Sequence, residues 1–263
     1  MKSLKRFVIS TLVTVLWMSL LASFGYSQQV ILFDDPGLVF YFPLDEGAGD
    51  TIKDMSPNKI EGELENSPNW VNGQVGGALE FKDGKEQGAF IPNQPALDLG
   101  TDNVTLAAWF KTPKSTGQGF IFIKWDGGGW YIKIQDNKLA SRFNVPGVGG
   151  DTVPSNKDVA DNQWHHIAAM RVNQTDVIVY LDGKIDAKAP GASPEGSVES
   201  PANLEIGRWK EERYWDGVFD ELLLIRTNLN LAEVKLLMEG QLLSVGSKGK
   251  LPVAWGRIKA ARY

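Results

Sequence analysis

The feature that most constrains this chain is a two-residue alternation of apolar side chains, repeated along its length and cut at short intervals by turn residues. In the stretch Val104–Lys111, Val104, Leu106, Ala108 and Phe110 alternate with Thr105, Ala107 and Trp109. Trp130, Ile132 and Ile134 alternate with Tyr131, Lys133 and Gln135, and 177–181 and 217–225 behave alike. Successive side chains of a strand point to opposite faces, so this period reads as strands. Asp-Gly pairs stand at Asp83-Gly84, Asp126-Gly127 and Asp182-Gly183. A glycine accepts the positive φ of tight hairpin turns without steric cost, so each pair predicts a hairpin. Many short strands at close spacing predict an all-β sandwich or barrel. One helix stands out near the end. Asn230 can cap it, Glu233 sits three residues on, Leu231, Val234, Leu237 and Met238 share one face, and Gly240 ends it. The Pro/Gly/Ser/Ala-rich stretch 188–201 reads as a loop.

The first 27 residues follow a different logic. Lys2, Lys5 and Arg6 precede an apolar run over 7–21, and small residues follow at Ala22, Ser23, Gly25 and Ser27. That order is the secretory signal pattern, with cleavage expected between Ser27 and Gln28. The run is shorter than the ~20 residues a spanning helix needs. Residues 1–27 are therefore read as a signal peptide, 28–240 as one domain and 241–263 as a short linker and tail. The expected destination is secreted or extracytoplasmic, at the cell surface or in the periplasm. Three of the 27 Lys and Arg fall in the signal, which leaves 24 against 32 Asp and Glu and a formal charge of −8. An acidic surface argues against nucleic acid and anionic membranes as partners. With no second long apolar run, no membrane insertion is expected after cleavage. The absence of cysteine removes thiol nucleophiles, thiolate zinc sites and iron–sulfur clusters, and it fits a bacterial exported protein.

Seven segments in order then point to one family. They are Leu38 to Gly49 (LVFYFPLDEGAG) with Asp54-Met55-Ser56; Asn69-Trp70-Val71-Asn72-Gly73; Gly76 to Phe81 (GGALEF); VTLAAWFK at 104–111; Trp164-His165-His166-Ile167-Ala168; YLDGK at 180–184; and GVFDELLLIR at 217–226. Together they resemble the laminin-G-like jelly-roll domains of the concanavalin A-like lectin/glucanase superfamily, over about Gly37 to Gly240. The resemblance implies a two-sheet antiparallel β-sandwich (jelly roll) with one short C-terminal helix. It also implies a structural calcium ion, with Asp220 as a ligand beside backbone carbonyls near the first strand and Glu46 as a second carboxylate. The fold itself hosts lectins, spacers and glycosidases alike.

The candidate chemistry narrows quickly. His165 and His166 are the only histidines; neighbours on a strand face apart, so they read as structural rather than as a metal pair. The superfamily's glycosidases carry Glu-x-Asp-x-Glu on one strand face, and no Glu-x-Asp occurs here. Glu61-x-Glu63-x-Glu65 has the spacing but falls in a region read as loop-rich, and is taken as a solvated acidic stretch. The chain is therefore not expected to be an enzyme. Trp209-Lys210-Glu211-Glu212-Arg213-Tyr214-Trp215 sets three aromatics among charges before the last strand. Aromatic rings cover the C–H faces of sugars while polar groups orient hydroxyls. Trp209, Arg213, Tyr214 and Trp215, with Trp125 and Asp126 from another loop, are the expected ligand contacts. The expected role is a non-catalytic module binding carbohydrate or glycoconjugates. A cell-surface adhesion or protein-interaction domain is the alternative, and a glycoside hydrolase comes third.

Overall fold

The computed structural model describes residues 34–113, 117–210 and 213–241 in full, with the backbone of Leu243–Ser244 and Val253–Ala254, which pair with each other. The segment read as a signal, its expected cleavage point and most of the tail lie outside the described residues. In chain order the strands are β1 (Leu38–Phe42), β2 (Thr51–Lys53), β3 (Glu61–Glu65), β4 (Asn69–Asn72), β5 (Gly77–Phe81), β6 (Gly88–Ile91), β7 (Val104–Lys111) and β8 (Gln118–Trp125). There follow β9 (Gly129–Gln135), β10 (Lys138–Asn144), β11 (Val153–Pro154), β12 (Trp164–Val172), β13 (Asp176–Leu181), β14 (Lys184–Ala189), β15 (Leu204–Ile206) and β16 (Gly217–Ile225). One helix, α1 (Leu231–Met238), closes the domain.

These strands form two antiparallel sheets. The first runs β14-β13-β12-β7-β16-β5-β4, with β1 also on β16; the second runs β11-β10-β9-β8-β15-β6-β3-β2. Strand β16 serves two partners on one edge because its register shifts between Asp220 and Leu223. Residues 217–219 pair with β5 and 222–225 with β1. The alternation read from the sequence sorts the faces. Phe110, Phe122, Trp130, Ile132 and Phe143 enter the core between the sheets, while Ala107, Ala168, Met170 and Leu223 face the opposite side of the first sheet, beneath α1.

The helix has the expected capping box. Asn230 accepts from the Ala232 and Glu233 N–H groups, and the Glu233 carboxylate accepts from the Asn230 N–H. Val234 and Leu237 are buried, but Leu231, expected on the same face, is 45% exposed at the first turn. Two of the three Asp-Gly pairs close hairpins, β8–β9 and β13–β14. Asp83-Gly84 instead sits in a single 3₁₀ turn between β5 and β6, which belong to different sheets. The Glu61–Glu65 segment is also not a loop but strand β3, pairing with β2 and β6.

The histidines part as strand geometry requires. The His165 ring lies 2.9 Å from Asp182 and 3.2 Å from Asp161. His166 is buried, edge-on to Trp109 at 5.2 Å, and Trp109 donates its indole N–H to the Met238 carbonyl under the end of α1. Burial, opposed only by the charge of Asp182, pushes the His166 pKa down from 6.5 to about 3. As pH falls below 6.5 the unfolded chain binds a proton that the folded chain refuses, so stability is lost. The expected loss is about 1.4 kcal/mol per pH unit down toward pH 3. His166→Phe keeps the ring stack and removes this titration. Its urea-unfolding free energy between pH 7.5 and 4.5 should fall less steeply than that of the wild type, and equal slopes would contradict the assignment.

Candidate functional site

The second sheet carries an aromatic cluster on the face turned away from the core. Phe120 and Ile123 of β8 and Tyr131 of β9 form its floor, and half-buried Trp125 and Trp209 pack against them. Ring centroids lie 5.7 Å apart for Phe120–Tyr131, 5.6 Å for Phe120–Trp209 and 5.5 Å for Trp125–Tyr131. A register row crosses this face as Arg142, Tyr131, Ile123, Glu205, Phe90 and Glu63. Between the two tryptophans lies a hollow of about 200 Å³, edged by Trp125, Asp126, Asn203, Glu205, Trp209 and Lys210.

Charge around the rings is arranged unevenly. Arg213 and Lys210 lie over Trp209 at 4.5 and 5.3 Å, Arg142 over Trp125 at 5.2 Å, and Lys133 over Tyr131 at 5.4 Å. Such contacts hold the rings in place. On the far side of the hollow, Glu205 sits 3.0 Å from the Arg208 Nε, and burial raises its pKa against the pull of Arg208. Arg208 also forks onto Glu65, donating through both terminal nitrogens. Glu65 is thus occupied by an arginine on the strand that had the glycosidase-like spacing.

The hollow's wall is held from inside. The Lys124 side chain points the other way from Ile123 and Trp125 and is wholly buried. Its ammonium donates to Asn93 Oδ1 at 2.6 Å, to the Ala202 carbonyl at 2.7 Å and to the Ser200 carbonyl. Three acceptors compensate a charge whose pKa burial lowers. The 200–202 segment that supplies two of them continues into Ala202 and Asn203 at the hollow.

Of the six residues expected to bind ligand, four reach this face: Trp125, Asp126, Trp209 and Arg213. Trp215 does not. Trp215 is 0% exposed, packs on Phe110 and Phe219 at 6.1 and 4.6 Å, and belongs to the core between the sheets. Tyr214 is 8% exposed. The physical reason is the path of the backbone. The Trp215 N–H donates to the Gly207 carbonyl, and the chain passes so close to β8 that a Cβ on Gly119 would stand 3.0 Å from the Tyr214 carbonyl and 3.2 Å from the Trp215 Cα. Glu211 and Glu212 lie outside the described residues. Sequence reasoning missed Phe120, Tyr131, Lys133, Arg142, Asn203 and Glu205. The outward position of an alternating strand held the signal for Tyr131.

The residues expected to hold metal also separate. Asp220 is buried, and its Oδ2 accepts the Val75 N–H at 2.7 Å. A Cβ on Gly73 would stand 2.5 Å from that same oxygen and 2.3 Å from the Gly77 carbonyl, while the Gly77 N–H donates to Asp45 Oδ1 at 2.7 Å. The Asp220 and Asp45 oxygens thus each accept a backbone N–H close to the Gly77 carbonyl or its residue. Glu46 is engaged elsewhere, accepting the Lys53 N–H of β2 in the other sheet. Asp45, its neighbour, is the carboxylate beside the Asp220 corner. Among the described residues no three His, Cys, Asp or Glu side chains gather around one point.

This two-sheet arrangement can be set against known proteins. Residues 83–235, more than half of the chain, match the laminin G family described as the concanavalin A-like lectin/glucanases superfamily. The chain belongs to this superfamily. No curated protein sequence matches it. Among solved structures, this concanavalin A-like domain is similar to the binding domain of Paraclostridial Mosquitocidal Protein 1, at 17% identity and TM-score 0.66, covering 77% of this chain and 52% of that one. It is also similar to the binding domain of botulinum neurotoxin DC in complex with rat synaptotagmin II (11%, TM-score 0.60, 77% and 51% covered). The same neurotoxin domain in complex with SialylT gives 10% identity, TM-score 0.61, and 77% and 51% covered. The chain spans about half the length of these structures, and identities this low speak for the fold alone. Among the described residues no helix is long and apolar enough to cross a membrane.

Proposed function

We propose that this concanavalin A-like domain is an exported, non-catalytic binding module that recognises carbohydrate on the aromatic face of its second sheet. The observation that carries the reading is the hollow between Trp125 and Trp209. Two half-buried indoles flank a space of about 200 Å³ whose edge also offers Asp126, Asn203, Glu205 and Lys210. Indole faces take the C–H side of a pyranose, and fixed polar groups orient its hydroxyls. One similar toxin domain is named both in complex with rat synaptotagmin II and in complex with SialylT, so a related fold takes more than one kind of partner. The stacked rings favour sugar here. Asp220 and Asp45, with the Gly77 carbonyl, would hold a structural calcium ion, which would tie the β1–β2 connection to β16 and add stability rather than chemistry.

The test is a glycan array probed with residues 28–263, with calcium and with chelator. Retention of at least one glycan class is expected, and retention of none in either condition would overturn the reading. A ligand that binds only the folded state raises stability by mass action. The melting temperature should therefore fall with chelator in the wild type and stay unchanged in Asp220→Asn. A wild type indifferent to chelator would remove calcium from the account.

A further inference from the structure

The cations around the aromatic floor are not distributed like a solvated surface. Lys133 is 8% exposed, yet its ammonium sits among other cations. Arg142 of β10 pairs directly with Tyr131, and Lys133 lies two residues along β9, so the two cations are diagonal neighbours on one face, within reach of each other. Phe120 pairs across from Lys133 and stacks on Trp209, which carries Arg213. The hydrogen-bond partners described for Lys133 and Arg142 are neutral. Lys133 donates to Gln135 at 2.7 Å and Arg142 to Asn144 at 2.9 Å, while the Arg142 Nε is buried with no hydrogen-bond partner. Among the described residues no ion pair joins Lys133, Arg142 or Arg213 to a carboxylate. Burial lowers the Lys133 pKa, the charges of Arg213 and Arg142 lower it further, and only Asp136 opposes them. A chain with a net charge of −5 has thus set three cations together on an apolar floor. Like charges held close in a partly dry site are costly unless an anion joins them.

We propose that the ligand is an acidic glycan, whose carboxylate or sulfate is held by Lys133, Arg142 and Arg213 while its ring lies against Trp125 and Trp209. This rests on the carbohydrate reading above and narrows it. Glu205 lies on β15, separated from Arg142 by β9 and β8, and with Asp126 and Asn203 at the hollow it suits hydroxyls. Arginine forks match carboxylate and sulfate oxygens, and a ring beneath each guanidinium fixes its plane.

Matched polymers separate charge from sugar. Oligogalacturonate against its full methyl ester tests carboxylate, and dextran sulfate against dextran tests sulfate. Titration of the full mature chain at low salt should show at least one acidic member binding at least about tenfold more tightly than its neutral counterpart, the size of one charge-assisted hydrogen bond. Lys133→Gln and Arg142→Gln should each erase most of that difference. Lys235→Gln, on the exposed side of α1 against the other sheet, should change nothing, which separates a local site from general attraction of polyanions. Equal binding of charged and neutral partners overturns the acidic preference and leaves the carbohydrate reading standing. Binding of neither, with the array also blank, overturns both. A charge preference that survives both glutamine variants overturns the assignment of the anion to these residues. Circular dichroism of each variant checks that the fold is retained.

Discussion

Trp215→Ala should unfold this domain far more readily than Trp209→Ala, although the two residues stand six positions apart in one charged segment. Trp215 is 0% exposed and shares the core with Phe110 and Phe219. Cutting a buried tryptophan to alanine removes its transfer free energy and leaves a cavity, for a cost of about 3–5 kcal/mol. Trp209 covers Phe120 from one side only and is half-buried. Its loss should cost roughly 1 kcal/mol, the ordinary range for a partly exposed substitution. Urea denaturation of both variants decides the point. Equal losses would mean that Trp209 is also a core residue and that the aromatic face is a packing feature.

The second large effect is expected at Lys124. Lys124→Met removes a buried ammonium together with its desolvation cost, but it orphans the Asn93 side chain and the Ser200 and Ala202 carbonyls. Hydrogen bonds to a charged group each contribute about 1.5–3 kcal/mol, and buried acceptors left unpaired cost similar amounts. A net loss of about 2–4 kcal/mol is expected once the relieved desolvation is subtracted. The loss should be accompanied by weaker ligand binding, because the same segment leads into Ala202 and Asn203 at the hollow. Unchanged stability would show that water replaces the ammonium without cost. Unchanged binding in a destabilised variant would detach that wall from the site.

The fold was readable because alternation and turn chemistry agree along the chain. The period-two stretches at β7, β9 and β13 became strands with the faces they implied, and the capping box at Asn230 formed as spaced, while β16 formed with a register shift that puts Phe219 and Leu222, three apart, in one core. The failures share one cause: a local pattern cannot report which sheet a segment joins. Asp83-Gly84 looks like the other Asp-Gly pairs, yet its flanking strands enter opposite sheets. Glu61 to Glu65 reads as solvated, yet β3 needs only Gly62 and partly buried Leu64 to sit against the sandwich. The site was half legible. Trp125, Asp126, Trp209 and Arg213 could be found by composition alone, since aromatics mixed with charge in turns are unusual. Trp215 was misplaced because charged neighbours suggested exposure. The signal for its burial lay elsewhere, in Gly119, a glycine inside a strand that marks close approach by another backbone. Arg142 and Lys133 were invisible for the opposite reason. Each is an ordinary outward residue on its own strand, and only the β9–β10 register makes them neighbours.

The central claim is that the outer aromatic face of the second sheet binds ligand through Trp125 and Trp209. The most direct measurement is calorimetric titration of the strongest array glycan into the wild type and into Trp125→Ala/Trp209→Ala, with urea unfolding of both proteins. Truncating aromatic anchors at a binding centre commonly costs ~2 kcal/mol or more, so affinity should fall at least about thirtyfold while the variant remains folded. A folded double variant that binds as tightly as the wild type would contradict the account, and would place the binding surface on another part of the sandwich.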